Sequence, residues 1–481
     1  MLFNSLDFAL FLPIVFIIYW ALSKTKLAYQ NFFVLCASFL FYGWWDWRFL
    51  CLIALSIVVD YFIAKAIDKQ ENKTKRKQIL FVSIFVNIGL LFAFKYFNFF
   101  LDNISDVCSI LGVEISLKSL NIILPVGISF YTFQTLSYTI DVYRNKIKPT
   151  NDFVAFAAFV SFFPQLVAGP IERATNLLPQ FLKEREFDEI KASDGLRQML
   201  WGLFKKVVIA DNCATYADLI FNSPDSFSGI TLILGAVFFA FQIYCDFSGY
   251  SDIAIGSARL FGFNLKQNFA FPYFSRDIAE FWRRWHISLT TWFRDYIYIP
   301  LGGSRVSKTV VIRNVFIIFL ISGFWHGAKW NFIFWGFLNA LYFIPLLVFN
   351  RNRKNLNDID EGRFLPSMKS FVSIGVTFSL TTFSWIFFRA ESMTVAFGFI
   401  KRIFIGSFIN LELIRNVNTF SLLIFMSFLV LFILIEWVQR EKQHGLQINN
   451  ASYKYWFVYL FFVCSILLFG GESDQFIYFQ F

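Results

Sequence analysis

Residues Leu6 to Leu22 have the sequence LDFALFLPIVFIIYWAL, an apolar run in which Asp7 is the single charged residue. No basic segment precedes this run and no small-residue cleavage site follows it, and Lys24 and Lys26 come next instead. A secretory signal peptide would carry both features. The run therefore predicts an uncleaved first transmembrane helix with its N-terminus on the outer side of the membrane.

Similar runs recur along the chain and predict a polytopic, all-α membrane protein. From the alternation of charged loops we expect about twelve spans, with both termini outside. Several runs are shorter than the roughly 20 residues that cross a bilayer, so those helices are expected to be tilted, half-inserted or longer than the run itself. The runs after the first are Phe32–Trp45, Phe49–Ile67, Ile79–Phe99, Ile122–Ile140, Leu196–Ala210, Ile230–Tyr250, Val310–Trp325, Trp330–Val348, Phe371–Phe388, Phe420–Trp437 and Tyr455–Phe469.

The composition excludes soluble enzymes, disordered proteins and secreted disulfide scaffolds. The 481 residues are 57% hydrophobic and 16% charged, whereas a soluble domain has about 25% charged residues. The net charge of +10 is the excess of Lys and Arg expected in cytoplasmic loops, so we expect no nucleic acid partner. No linker is long enough to separate domains, and residues 1–481 are predicted to form one membrane domain.

Neither the cysteines nor the histidines form a metal-binding pattern. The six cysteines contain no C-x-x-C pair and are interpreted as small buried hydrophobic residues. The three histidines are not clustered, so no metal site is expected. His444 stands among charged and polar residues and is interpreted as a solvated loop residue.

Charged loops orient the predicted helices. The basic segments Lys65–Lys77, Arg144–Lys148 and Arg351–Lys354 are predicted to be cytoplasmic, because Lys and Arg are enriched on that side. The loop Leu101–Lys118, which carries three acidic residues, is predicted to be external. Phe153–Val167 is short and leads into Ala-Gly-Pro, which predicts a re-entrant segment that lies beside protein or a water-filled cavity.

The stretch Phe271–Arg305, FPYFSRDIAEFWRRWHISLTTWFRDYIYIPLGGSR, has apolar residues at steps of three or four. This spacing predicts an amphipathic helix at a membrane interface or a cavity wall. His286 falls on the apolar side of that helix. Helical spacing reports burial and not role, so this histidine is either a buried residue bonded to a backbone carbonyl or a functional group.

His326 closes an apolar run, in the sequence Ser322-Gly-Phe-Trp-His-Gly327. An ionisable residue in a membrane segment is a functional candidate, and imidazole suits proton transfer near neutral pH. Gly323 and Gly327 have the spacing that lets a neighbouring helix, or a ligand, approach the backbone closely. The alternative is a pair of packing glycines with an incidental histidine.

Asp246 follows an apolar run, within Tyr244-Cys-Asp-Phe-Ser-Gly-Tyr-Ser-Asp252. Its carboxylate would orient a histidine or pair with an arginine, or it would lie at the interface and face water. Ser248 is not in a nucleophile elbow, because the pattern G-x-S-x-G needs glycine at position 246.

Several motifs make the chain resemble the membrane-bound O-acyltransferases (MBOATs) and, within them, the bacterial alginate O-acetyltransferase subfamily. The resemblance runs nearly from end to end, and the histidine-centred motifs are long and specific. The motifs are YCDFSGYSDIAIG at Tyr244–Gly256, EFWRRWHISLTTWFRD at Glu280–Asp295, YIPLGG at Tyr298–Gly303 and GFWHG at Gly323–Gly327, with further matches at Tyr42–Trp45, Pro164–Arg173 and Phe476–Phe481.

The resemblance implies a fold and two site residues. Members of the family enclose a central tunnel in a ring of about 11–12 transmembrane helices with re-entrant and interfacial helices. The acyl donor enters from the cytoplasm and the acceptor approaches from the far side. The essential histidine of the family matches His326, and its second, histidine-centred motif matches His286.

The resemblance also implies a reaction. We expect an O-acetyltransferase of the bacterial inner membrane that holds no bound cofactor and takes its acetyl group from acetyl-CoA. The acetyl group is expected to reach an exported polysaccharide such as alginate, through a separate periplasmic acetyltransferase partner. Acetylation of peptidoglycan or cellulose and D-alanyl transfer to teichoic acid are alternatives. Outside the enzymes, a transporter or flippase and a scaffold for polysaccharide export are alternatives as well.

Each site residue has an expected role. His326 is expected to act as general base on the acceptor hydroxyl, and His286 to stay neutral and position donor or acceptor. Asp246, Trp325 and Asn331 are expected to support the two histidines. Three arginines are expected to attract the phosphates of CoA, because guanidinium binds phosphate bidentately, or else to anchor the helix at the interface. These are Arg283, Arg284 and Arg294.

Overall fold

The structure, a computed structural model, describes residues 1–113, 119–120, 123–405, 417–448, 455–470 and 476–477. Every regular element within these ranges is a helix, and none is a strand. The all-α fold predicted from the apolar runs is therefore confirmed. Residues 114–118 of the predicted external loop and residues 478–481 of the closing motif lie outside the described residues.

The chain divides into two compact units. One comprises Met1–Glu189 and Ala258–Leu265, and the other comprises Ile190–Ser257 and Lys266–Phe481. The single domain predicted for the whole chain stays a prediction, as do the ring and the tunnel.

The helices up to the first boundary are α1 (Leu6–Ala21), α2 (Leu27–Asp46), α3 (Leu50–Lys69), α4 (Lys73–Leu91), α5 (Phe97–Ile110), α6 (Ile128–Tyr143), α7 (Phe153–Ser161), α8 (Phe163–Leu166) and α9 (Ala174–Phe181). The later helices are α10 (Glu189–Leu203), α11 (Asp211–Asn222), α12 (Gly229–Leu260), α13 (Ile278–Arg284), α14 (Ile287–Phe293), α15 (Lys308–His326), α16 (Trp330–Val348), α17 (Met368–Arg389), α18 (Met393–Ile405), α19 (Thr419–Val438) and α20 (Trp456–Phe469).

Eight helical stretches among the described residues are long and apolar enough to cross a membrane. One of them, Leu27–Lys69, contains both α2 and α3. The α12 helix has 32 residues, which is about 48 Å at 1.5 Å per residue. Three further predicted spans correspond to α6, α10 and α20, which have 16, 15 and 14 residues. The total of about twelve spans stays a prediction.

Short polar side chains begin several of these helices. Ser5 Oγ accepts a hydrogen bond from the backbone N–H of Phe8 at the start of α1, and Asn418 Oδ1 accepts from that of Phe420 at the start of α19. Such caps satisfy N–H groups that have no partner in the first turn of a helix. The residues that follow are apolar on nearly every face, as expected for helices that lie in lipid.

The helix predicted over Phe271–Arg305 is broken at His286, so the prediction of one continuous helix is wrong. The α13 helix ends before this residue and α14 begins after it. The backbone of His286 is left-handed, with φ of 42°, which costs a non-glycine residue about 1–3 kcal/mol. Apolar residues keep their spacing of three and four across the break, so the sequence pattern did not reveal it.

The helices α15 and α16 pack with their backbones in contact, through glycines. A Cβ atom on Gly323 would lie 2.2 Å from the carbonyl oxygen of Phe332, and one on Gly336 would lie 2.2 Å from that of Phe319. A Cβ atom on Gly327 would meet the ring of Phe332, also at 2.2 Å. The prediction of a close approach at Gly323 and Gly327 is confirmed, and the approaching segment is α16.

Phe153–Val167 forms two short helices, α7 and α8, of 9 and 4 residues. Both are too short to cross a bilayer, which needs roughly 20 residues. Most of this segment is buried. Its interpretation as a re-entrant segment stays a prediction.

The cysteines are less uniformly buried than their apolar context predicted. Cys213 and Cys245 are buried, whereas Cys36, Cys51 and Cys464 are exposed on α2, α3 and α20. The outer face of a membrane helix contacts lipid, so an apolar sequence around a cysteine does not require that protein covers it.

Candidate active site

His326 is the last residue of α15 and lies in an aromatic pocket. Its ring is 4% exposed and packs edge-on against the rings of Trp335 and Phe388, with ring centroids 5.3 Å apart in both pairs. Trp335 in turn stacks on Trp385. The close contact of α15 with α16 and the packing of α17 thus place one imidazole among large apolar rings.

Asn331 holds two of the helices around this pocket together. Its side-chain Nδ2 donates hydrogen bonds to the backbone oxygens of Phe387, at 3.2 Å, and Ala390, at 2.6 Å. These bonds tie the start of α16 to the end of α17, next to Phe388. Asn331 therefore supports the walls of the His326 pocket.

His286 lies at the break between α13 and α14, with 1% of its surface exposed. Phe247 packs edge-on against its ring at 4.7 Å between centroids, and Phe269 lies at 6.3 Å. Its Nδ1 is 3.2 Å from Oδ1 of Asn268. The partner is thus a side-chain amide rather than the backbone carbonyl expected from the sequence. Burial lowers the pKa of His286 to about 3, so the imidazole is neutral at physiological pH.

Trp325 contacts both histidines. Its ring centroid is 6.1 Å from that of His286 and 4.8 Å from that of His326. The two residues are 40 positions apart in the sequence, yet both are buried against one indole ring. The structure therefore brings the two predicted site histidines and Trp325 together in one buried region.

Asp246 is a buried member of an ion pair. It lies within α12 with 3% of its surface exposed, so the interpretation as a water-facing carboxylate is wrong. Its Oδ1 is 2.8 Å from Nζ of Lys206, and its Oδ2 accepts a hydrogen bond from the backbone N–H of Ile477 at 2.6 Å. Asp246 thus binds a lysine and a backbone amide, in place of the histidine or arginine proposed from the sequence.

The three arginines differ in their exposure and in the contacts that they make within the protein. Arg283 donates to the backbone oxygens of Asn352 and Asn355, and Arg284 is paired with Glu280. The side chain of Arg284 is 13% exposed, whereas that of Arg294 is 58% exposed and pairs with neighbouring Asp295. Arg294 is therefore the most accessible of the three for a phosphate group.

A small polar cavity lies beside this region and was not predicted from the sequence. The cavity has room for about one water molecule, because the centre of a water can occupy about 10 Å³ of it. The charged and polar side chains in its wall include Lys205, Asp252, Glu436, His444 and Asn268. Neither His286 nor His326 is among its lining residues.

Buried ion pairs and hydrogen bonds stabilise the polar groups of that cavity. Lys205 Nζ is 2.5 Å from Asp252 Oδ2 and 2.9 Å from Ser248 Oγ. Tyr244 donates its hydroxyl proton to the carboxylate of Glu436, at 2.9 Å. Lys205 and Glu436 both stand inside predicted spans, and an ionisable residue in a membrane segment is a signal of function that would have revealed them.

His444 is also buried, and its interpretation as a solvated loop residue is wrong. It is 1% exposed, and its Nε2 lies 3.2 Å from Oδ1 of Asp194. The charged residues beside it in the sequence indicate an exposed loop, but they do not reveal that the side chain of His444 itself faces the cavity.

The family of the protein follows from its sequence as a whole. The model of the membrane-bound O-acyltransferase family, MBOAT, matches residues 144–388. The chain belongs to this family. This match covers both histidines, the break at His286 and the contact of α15 with α16. The protein is accordingly an acyltransferase and a multi-pass membrane protein, and the resemblance noted in its motifs is confirmed.

Three relatives show the range of the family that is similar to this chain. "Probable alginate O-acetylase AlgI" of Pseudomonas aeruginosa is 39% identical over 406 residues, which is 84% of this chain and 75% of the relative. "Peptidoglycan O-acetyltransferase" of Helicobacter pylori is 36% identical over 432 residues, which is 83% of this chain and 79% of the relative. "Teichoic acid D-alanyltransferase" of Bacillus subtilis is 27% identical over 289 residues, which is 56% of this chain and 70% of the relative.

Proposed function

We propose that this MBOAT protein transfers the acetyl group of acetyl-CoA toward the hydroxyl groups of an exported polysaccharide. The observation that carries the proposal is the similarity to two O-acetylating relatives over more than four fifths of the chain. The D-alanyl-transferring relative is similar over little more than half of it. Acetyl transfer is therefore favoured over D-alanyl transfer, and an acyltransferase over a transporter or a scaffold.

The acceptor that we propose is a polysaccharide outside the cytoplasm, and alginate is the first choice. The second choice is peptidoglycan, because the Helicobacter pylori relative is nearly as similar as the Pseudomonas aeruginosa one. Acetyl-CoA is made in the cytoplasm and the acceptor lies beyond the membrane, so the protein is proposed to reside in the inner membrane. A periplasmic acetyltransferase is the partner proposed to complete the transfer.

His326 is proposed to act as the general base. Its imidazole takes the proton of the acceptor hydroxyl while that oxygen attacks the thioester carbonyl and a new C–O bond forms. The C–S bond then breaks, and the CoA sulfur recovers the proton from His326, so that ester and thiol are the products. Positioned proton transfer of this kind contributes about 10²–10⁴-fold to a rate, and the surrounding aromatic rings exclude water from the step.

Trp335 is our candidate for the group that stabilises the oxyanion of this step. Its ring packs against His326, and its buried indole N–H has no acceptor among the described residues. A buried donor without an acceptor costs about 1–3 kcal/mol, a cost that a carbonyl oxygen bound in the pocket would remove. Such a donor strengthens the reaction when negative charge develops on that oxygen.

Acetyl transfer by the purified protein in lipid vesicles tests the proposal. Radiolabelled acetyl-CoA is supplied with an alginate-type polymer, with peptidoglycan fragments or with neither, and labelled ester and free CoA are measured. We expect faster release of CoA than in vesicles without protein, and labelled ester on one of the acceptors when the periplasmic acetyltransferase partner is supplied as well. Release of CoA that is no faster than in vesicles without protein, under every condition, would refute the acetyltransferase assignment.

His326→Gln is the decisive variant. Glutamine keeps hydrogen-bonding capacity and similar bulk but does not take up a proton near neutral pH. We expect a loss of at least about 100-fold in rate with unchanged insertion and thermal stability. If the glutamine variant transferred acetyl groups at the normal rate, His326 would be a packing residue instead.

A further inference from the structure

Asn268 stands out because it makes four hydrogen-bond contacts to the turn that carries His286. Its backbone oxygen accepts from the N–H of Ile287 at 2.8 Å. Its side-chain Oδ1 lies 3.2 Å from Nδ1 of His286 and accepts from Oγ of Ser288 at 2.9 Å and from the backbone N–H of Ser288 at 3.3 Å. One residue therefore shapes the left-handed turn and also contacts the imidazole.

The orientation of the Asn268 amide is determined by these contacts. The backbone N–H of Ser288 can only donate, so the atom that it contacts must be the amide oxygen. The other end of the amide, Nδ2, donates to Oγ of Ser251 at 3.1 Å, which agrees with that assignment. Rotating the amide by half a turn would place its NH₂ group against the backbone N–H of Ser288. Asn268 is 0% exposed, so no water could relieve that contact.

The same reasoning determines which nitrogen of His286 carries the proton. An oxygen that accepts hydrogen bonds faces Nδ1, so Nδ1 must be the N–H. In a neutral imidazole the other nitrogen, Nε2, then carries a lone pair.

We propose that Asn268 is a positioning residue that holds His286 as the neutral tautomer protonated on Nδ1, so that Nε2 serves the acyl-transfer site as a hydrogen-bond acceptor. The role of Nε2 in acyl transfer rests on the proposed function, whereas the tautomer of His286 does not. A group that accepts at Nε2 orients a hydroxyl and does not donate to an oxyanion. His286 is thus assigned to the acceptor hydroxyl, and stabilisation of the oxyanion falls to another group.

The surroundings of His286 explain why asparagine, and not aspartate, suits this position. Apolar rings of Phe247, Phe269 and Trp325 lie against the imidazole. The titratable groups around it are His326, which also contacts Trp325, and those of the cavity that Asn268 helps to line. The latter are Lys205, Tyr244, Asp252, Glu436 and His444. A carboxylate at position 268 would add a negative charge next to Nδ1 and would favour the imidazolium. Nε2 would then carry a proton and would no longer accept.

Solid-state NMR of the full chain in lipid vesicles, with ¹⁵N-labelled histidine, tests the tautomer directly. The signal of His286 is the one that is absent in His286→Gln. Near neutral pH we expect a neutral ring protonated on Nδ1 in the unmodified protein and an imidazolium in Asn268→Asp. A ring protonated on Nε2, or an imidazolium, in the unmodified protein would overturn the proposal.

The pH dependence of acetyl transfer provides the functional test, with Ser288→Ala as the matched control. In Asn268→Asp the pKa of His286 is expected to rise from about 3 to above neutral pH, so activity is lost as the pH falls through that higher value. The acid limb of the profile then moves to higher pH by at least one unit, about tenfold in proton concentration. Ser288→Ala removes one contact to the same oxygen and leaves the Nδ1 bond, so its acid limb is expected to stay in place.

A uniform loss of rate in Asn268→Asp, with the acid limb in place, would show that Asn268 only supports the fold and would overturn the positioning role. If the unmodified protein transferred no acetyl group, the proposed function would fail, and the NMR result would still decide the tautomer.

Discussion

Gly323→Ala adds one methyl group where α15 touches α16, and the structure determines how far the helices must move. The new Cβ would lie 2.2 Å from the carbonyl oxygen of Phe332, whereas ordinary contact begins at 3.4 Å, so the helices must separate by about 3.4 − 2.2 = 1.2 Å. The nearest atom belongs to the backbone, so no side-chain rotation relieves the clash. His326 is three residues further along the same helix.

The expected effect on activity is larger than that on stability. Overpacking a well-packed interior costs about 1–3 kcal/mol, partly offset by up to about 1 kcal/mol because alanine favours the helix over glycine. A displacement of about 1 Å at a reacting group can cost 10²-fold in rate. We therefore expect Gly323→Ala to fold and insert, with a lower thermal unfolding temperature and a rate lower by about two orders of magnitude.

Gly375→Ala is the matched control for this prediction. It lies on α17, and no atom comes within 4 Å of the added Cβ. The assays are acetyl transfer in lipid vesicles and thermal unfolding for both variants in parallel. Equal rates in the Gly323 and Gly375 variants would refute the argument that the close contact of α15 with α16 positions His326.

Three further predictions concern the pocket, the ion pair and the topology. Trp335→Phe keeps the ring against His326 but removes its N–H, and the rate of acetyl transfer should fall by about 10²–10³-fold; a normal rate would exclude the oxyanion role. Lys205→Met leaves Asp252 buried without its cation and should lower the free energy of unfolding by about 3–5 kcal/mol, whereas adding Asp252→Leu should restore most of it; equal stability of single and double variants would contradict this. With the native cysteines replaced, a membrane-impermeant thiol reagent should label a cysteine at position 106 and not one at position 73, because the basic loop is cytoplasmic; the reverse pattern would invert the topology.

Hydrophobic patterning predicted the helices well but not where they break. The boundaries of α16 coincide with the predicted run Trp330–Val348, since an uninterrupted apolar run in lipid leaves few alternatives to helix. His286 shows the limit, because apolar spacing is the same on both sides of a left-handed residue. The turn there depends on Asn268, 18 residues away in the sequence, and periodicity contains no information on such a partner.

The residues of the site were predicted from their motifs, whereas the side chains that they contact could be identified only in the structure. Lys206 as partner of Asp246 and Asn268 as partner of His286 are both pairs between different segments of the chain. A side-chain contact of this kind depends on how the helices pack. Arg283 and Arg284 show the opposite error. The sequence suggested that they bind a ligand, whereas in the structure Arg283 donates to a backbone oxygen and Arg284 pairs with Glu280.

The left-handed backbone at His286 restricts which amino acids its codon can encode without a cost to folding. Asparagine, aspartate and histidine are the non-glycine residues that adopt this conformation most often, whereas a β-branched or bulky residue there would be an outlier. A library of substitutions at this codon would therefore lose most of its members to backbone strain before any requirement for an imidazole is applied.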